Sequence, residues 1–138
     1  MDDLKLKFSK IKINEGNNSK IKQRLKIERY LLKDYLINMY SSENEFNLIF
    51  GNYIIRVVTG DSYPFKPPEK ILIIDKSFNI YNFFDFMELN YNIYDKDSLK
   101  EINRIKDIVI NELNWKPSMT IKYIFSKLQL LEIYYSSF

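Results

Sequence analysis

An α+β fold is predicted for this 138-residue chain by three observations. Two alternating apolar runs are joined by Gly51-Asn52, a short continuous apolar run occupies Ile71 to Ile74, and apolar stripes of helical spacing precede and follow them. The expected architecture is an antiparallel meander of about four strands packed against an N-terminal and a C-terminal helix, with a further helix between sheet and C-terminus. A hydrophobic content of 46% over this length supports a single domain, residues 1–138, with a real core.

Each element has a local reason. Leu4, Leu6 and Phe8 alternate with lysines, and Ile11 and Ile13 resume the pattern after a one-residue slip, so an extra N-terminal strand with a bulge is expected. Glu15 to Ser19 supplies turn and cap chemistry before Ile21, Leu25, Leu32 and Leu36, predicting a first helix from about Ser19 to Tyr35. Leu36 to Tyr40 could add a strand. Glu45 to Phe50 and Tyr53 to Val58 form the hairpin, with Phe46, Leu48 and Phe50 on one face and Gly51 tolerating the positive φ of a tight turn. Ile71 to Ile74 reads as a strand covered on both faces. Phe78 to Tyr94 has no clean period and receives no assignment. Ser98 and Glu101 form a capping box for a helix through Leu99, Ile102, Ile105, Val109 and Leu113 that ends near Asn114. Ile121, Ile124, Phe125, Leu128 and Leu131 mark the last helix.

Composition removes most chemistry. The chain contains no cysteine and no histidine, which excludes disulfides, thiolate zinc sites and thioesters and removes the commonest general base. A carboxylate pair acting on a glycoside, or carboxylates with magnesium acting on phosphate, would survive both absences, but neither comes with a motif. Three glycines are too few for a phosphate cradle. The net charge of +3 is unevenly spread, with Lys5, Lys7, Lys10, Lys12, Lys20, Lys22, Arg24, Lys26 and Arg29 in the first third. Such an end fits nucleic acid or an acidic partner, or simply a solvated face. There is no signal-peptide core after Met1 and no apolar run near the ~20 residues of a membrane span, so an intracellular protein, cytoplasmic or nuclear, with no membrane partner is expected. The abundance of Asn, Ile, Lys, Tyr and Phe suggests an AT-rich genome.

Two proline blocks stand out: Tyr63-Pro64-Phe65-Lys66-Pro67-Pro68 and Trp115-Lys116-Pro117-Ser118-Met119-Thr120. The prolines lock φ and remove donors, so the first block must leave the hairpin ladder as a stiff extended loop. By itself it reads equally as a rigid surface turn or as a proline-rich ligand for an SH3-type groove.

The two blocks together, in the order helix, meander, Tyr-Pro-Phe-x-Pro-Pro loop, strand, Trp-x-Pro-x-x-Thr and amphipathic helix, resemble the ubiquitin-conjugating enzyme (UBC) fold. The resemblance spans roughly Ser19 to Leu131, with its specific part in Thr59 to Ile71 and Trp115 to Lys122. It implies that residues 1–18 are a basic extension and 75–114 a rebuilt active-site insertion carrying the extra helix. The family's acceptor cysteine would lie shortly before Trp115, where this sequence reads Ile105 to Asn114 without Cys, Ser or Ala. A substituted cysteine is therefore not the source of the absence. The family's His-Pro-Asn tripeptide is missing too. Asp107 could not stand in, because a carboxylate would give a hydrolysable mixed anhydride and lacks a thiolate's nucleophilicity.

The chain is thus closest in kind to the cysteine-less ubiquitin E2 variants (UEVs), some of which also end after the helix that follows Trp-x-Pro. The resemblance implies an inactive homologue, a pseudoenzyme without catalytic residue, metal or cofactor, that binds ubiquitin, a catalytic conjugating enzyme or a ligase. It puts partner contacts at Phe65, Pro117 and Ser118, with Tyr63, Pro64, Pro67, Pro68, Trp115 and Thr120 as motif and packing residues. Phe65 could instead plug the core, and Tyr134, Tyr135 and Phe138 could seal the core or form a docking patch. Two rival classes remain. An RWD-type interaction scaffold would account for the first block but not the second, and a basic structural or nucleic-acid-binding protein would use the N-terminal third.

Overall fold

Alternating apolar residues build the sheet. In the computed structural model, which describes residues 19–37 and 42–135, β1 (Glu45–Phe50) and β2 (Tyr53–Val58) pair antiparallel, from Phe50 opposite Tyr53 to Glu45 opposite Val58. Gly51 makes the turn at φ 58°. β3 (Lys70–Ile74) pairs with β2, and β4 (Ile80–Asn82) with β3, giving a four-stranded antiparallel sheet in the order β1-β2-β3-β4. Phe46, Val57 and Ile71 lie side by side in one row of the inner face, and Leu48, Ile55 and Ile73 in the next. All six are essentially inaccessible. At roughly 1.5–3 kcal/mol for each buried side chain of this size, this face outweighs any turn preference in holding the register.

Helices cover that face. α1 (residues 19–31) buries Leu25 and the turn after it Leu32, and Arg29 stacks 4.4 Å from the Phe46 ring centroid. α4 (Ile121–Leu128) buries Ile121, Ile124, Phe125 and Leu128, with Phe125 packed edge-on against Tyr35. A 3-10 segment, Gln129–Tyr135, carries Leu131 and Tyr135 into the core. α3 (Lys96–Asn111) turns Leu99, Ile102, Ile105, Ile108 and Val109 inward. No helix among the described residues is long and apolar enough to cross a membrane.

Several boundaries depart from expectation. α1 is regular only to residue 31, because the chain beyond it is drawn to the sheet: Leu36 bridges Leu48, and the Ile49 N–H donates to Tyr35 O at 2.9 Å. The strand expected at Leu36 to Tyr40 is a single bridge in its described part, and residues 38–41 lie outside the described residues. The predicted N-terminal strand at Leu4 to Ile13, and Phe138, also lie outside them.

α3 is capped by Asp95 rather than Ser98. The Asp95 carboxylate accepts from the Ser98 N–H at 2.7 Å and the Ser98 hydroxyl at 2.8 Å, because a carboxylate three residues upstream satisfies the orphan donors and favours the positive helix end. The backbone hydrogen bond from Ser98 holds the Asp95 carboxyl below the usual range. Glu101, the expected box partner, points instead to Arg104 and Lys127, each at 3.5 Å. The helix stops at Asn111, earlier than expected, with Glu112 left-handed at φ 56°. Ile71, Ile73 and Ile74 are covered as expected, but Leu72 is only half-buried.

The unassigned Phe78 to Tyr94 resolves into β4, a short helix α2 (Phe83–Glu88) capped by Asn82, and a 3-10 turn, Tyr91–Ile93. Every residue of β4 is exposed, so no alternation marks it. α2 spans six residues, too few to show a period.

Candidate functional site

Glu28 organises the region where the proline blocks meet. It sits on the buried stripe of α1 between Leu25 and Leu32 and is 1% exposed, so its carboxylate must be supplied with donors. Three are present. The Tyr63 hydroxyl donates to Oε2, the Ile121 backbone N–H donates to Oε1 at 2.6 Å, and Arg24 Nε donates to Oε2 at 3.2 Å. One side chain thereby joins α1, the first proline block and the N-terminus of α4. Burial, followed by the Glu28 charge, pushes the Tyr63 phenol far above its ordinary pKa. Tyr63 is held as a donor, not as a nucleophile.

The blocks are in direct contact. Trp115 Nε1 donates to the Pro64 carbonyl at 2.7 Å, and the Tyr63 and Trp115 rings lie 6.0 Å apart at 42°. Arg24 completes the clamp, donating to Pro117 O at 2.8 Å and Met119 O at 2.5 Å while lying 5.7 Å from the Tyr63 ring centroid. Thr120 caps α4, its Oγ1 accepting from the Tyr123 N–H at 3.1 Å. The second block is thus fastened at both ends.

The first block does leave the sheet, but as a compact turn rather than an extended loop. The Tyr63 N–H donates to Gly60 O at 3.2 Å and the Lys66 N–H to Ser62 O at 3.0 Å, and Tyr63-Pro64 is cis. Tyr63 and Lys66 carry N–H groups and close turns with them. Pro67 and Pro68, which do not, are buried as the chain returns to β3, where the Glu69 N–H meets Val58 O at 2.8 Å.

The structure separates the sequence candidates by exposure. Tyr63 is buried and Trp115 half-buried, each with its polar atom partnered as packing residues require. Phe65 does not plug the core: it is 74% exposed. Pro117 and Ser118 are also exposed. Between α1 and the first block runs an open groove of about 700 Å³ lined by Ile21, Arg24, Pro64 and Phe65, with Lys20, Lys66 and Asp61 at its edges. A second depression of about 480 Å³, also bordered by Asp61, Ser62 and Lys66, reaches Asn82, Phe84 and the end of α3. In the 105–114 window, Ile105, Ile108 and Val109 face the core. Asp107 is exposed and accepts from Asn111 Nδ2 at 3.2 Å. Tyr135 seals the core beside Tyr94, their hydroxyls hydrogen-bonded.

Arg24 and Glu28 were not singled out in the sequence. A signal was present for Glu28: an acidic residue at helical spacing within the stripe Ile21, Leu25, Leu32 occupies a position where a charge needs a buried partner. For Arg24 there was none, since it stands among nine other cations of the first third.

Among the described residues no group of three or more carboxylates is placed to hold a metal ion. The chemistry this arrangement offers is recognition: an exposed aromatic ring and an exposed Pro-Ser pair on backbone that hydrogen bonds have already ordered. Comparisons with protein-family models, curated proteins and solved structures find no match to this chain.

Proposed function

We propose that this protein is a non-catalytic, UEV-like binding module of the ubiquitin pathway that grips a protein partner through Phe65, Pro117 and Ser118. One observation carries the reading: the Trp115 to Pro64 hydrogen bond brings the two motif blocks together while Phe65 remains 74% exposed. A large ring left in water on a clamped turn has no packing role to explain it. Binding there loses little conformational freedom, because Glu28, Arg24 and Trp115 order the supporting backbone beforehand. The UBC resemblance of the same two blocks supplies the partner class: ubiquitin, a catalytic conjugating enzyme or a ligase.

The test is an affinity capture with mass spectrometry, scored for ubiquitin-pathway proteins, comparing the native chain with Phe65→Ala. The variant should lose the partner while its folding free energy changes by no more than about 0.5 kcal/mol, as for an exposed substitution. Retained capture would remove Phe65 from the interface, and unfolding would make it structural. Incubation with ubiquitin, activating enzyme and ATP should leave no covalent adduct, and an adduct would overturn the non-catalytic reading.

A further inference from the structure

Charge is partitioned along this chain. Of its 21 basic and 18 acidic residues, ten basic and four acidic ones fall within residues 1–33, so that segment carries a surplus of six while the remainder is net acidic by three. Part of the surplus lies on α1. Lys22, Lys26 and Arg29 follow one another at intervals of four and three residues, which aligns them in a single row along the helix, and Lys33 lies in the turn just past its end. Along the axis Lys22 and Lys26 are about 6 Å apart.

These cations divide by what they touch. Arg29 is turned inward, donating to the carbonyls of Ser42, Glu43 and Glu45 at 3.1, 2.7 and 2.9 Å. Lys22, Lys26 and Lys33 are exposed, and none forms an ion pair among the described residues. Two acidic residues border them: Glu43 shares a shallow notch with Lys22 and Lys26, and the exposed Asp34 follows Lys33. Beside the row stands Tyr30, 66% exposed, with Lys33 Nζ 4.4 Å from its ring centroid. The Phe65 groove, by contrast, is lined by Lys20, Ile21 and Arg24 on the other flank of the helix.

The geometry points to single-stranded nucleic acid as the ligand of this α1 face, with Lys22, Lys26 and Lys33 on successive phosphates and Tyr30 as a stacking platform. Exposed cations following one another along α1 and into the turn after it suit a chain of phosphates, and an exposed ring among them suits an unpaired base. An acidic polypeptide would also meet the cations. It would not need the ring. The inference does not depend on the ubiquitin-pathway reading, because it uses a different face of α1.

Fluorescence anisotropy with a labelled oligo-uridine, titrated at rising salt, tests it on the full chain. The native protein should bind at low salt and weaken steeply as salt increases. A Lys22→Gln, Lys26→Gln, Lys33→Gln variant should flatten the log–log salt slope by about 2, at about 0.7 for each phosphate that is no longer neutralised. Tyr30→Ala should weaken binding about five-fold or more with the slope unchanged. Phe65→Ala should bind like the native chain. A control with Lys96, Lys100 and Lys122 changed to Gln removes equal charge elsewhere and should retain affinity. Melting curves check each variant, and Lys26→Gln alone, with a slope change of about 0.7, replaces the triple variant if that fails to fold. No binding at low salt, an equal loss in the control, or poly-glutamate competing as well as oligo-uridine with Tyr30→Ala silent would each overturn the proposal.

Discussion

At the scale of single residues, Glu28 and Tyr63 carry the most consequence. A carboxylate 1% exposed is tolerable because three donors from three segments converge on it. Tyr63→Phe keeps the ring against Trp115 but withdraws one donor, so it should cost about 1–3 kcal/mol in urea unfolding at neutral pH. Its pH dependence has a definite sign. Burial raises the folded-state pKa of the phenol, so its contribution is fully present below the unfolded value of about 10 and is lost as pH rises above it toward the folded one. Burial raises Tyr94 and Tyr135 in the same direction. The native chain should therefore lose stability above about pH 10, and Tyr63→Phe should lose it less steeply. Parallel pH curves for the two proteins would remove Tyr63 as a contributor.

At the scale of elements, the N-terminus of α4 is where the two proline blocks become one structure. Its orphan N–H groups are met by two side chains: Thr120 Oγ1 takes the Tyr123 N–H, and Glu28 Oε1 takes the Ile121 N–H. Thr120→Ala should cost about 0.5–2 kcal/mol, measured by denaturant unfolding. The loss should be accompanied by faster hydrogen exchange at Tyr123, and unchanged protection there would mean that water replaces the cap. The β1-β2 hairpin, by comparison, was fully legible, because alternation and a Gly-Asn turn are both local signals. Its strands run as expected, Glu45–Phe50 and Tyr53–Val58. α3 was legible in its stripe but not in its ends. Asp95 and Ser98 are both good cap residues, and the choice between them depends on where the preceding 3-10 turn delivers the chain.

At the scale of the whole molecule, one core joins the sheet's inner face to all four α-helices among the described residues. Leu48 lies at its centre, opposite Ile55 and inaccessible to solvent. Leu48→Ala should cost about 2–5 kcal/mol, a large share of the roughly 5–15 kcal/mol that holds a domain of this size. A loss below 1 kcal/mol by calorimetry or denaturant titration would mean that the surrounding helices collapse into the space.

What could be read from residue order alone was whatever physics acts over a few positions: the meander, the helical stripes, the stiffness of the proline blocks, and the absence of Cys and His. What required the folded chain were the relations between distant positions. Trp115 and Pro64 are 51 residues apart, and Arg24 and Glu28 reach across more than 90 to Pro117 and Ile121. The exposure of Phe65 belongs to the same class. An aromatic ring beside prolines is equally compatible with core and surface, and only the packing of Tyr63 and Trp115 beneath it leaves that ring in water. Burial is a property of the neighbours that arrive from elsewhere in the chain, and hydrogen-bond partners for a charge such as Glu28 become definite once those neighbours are in place.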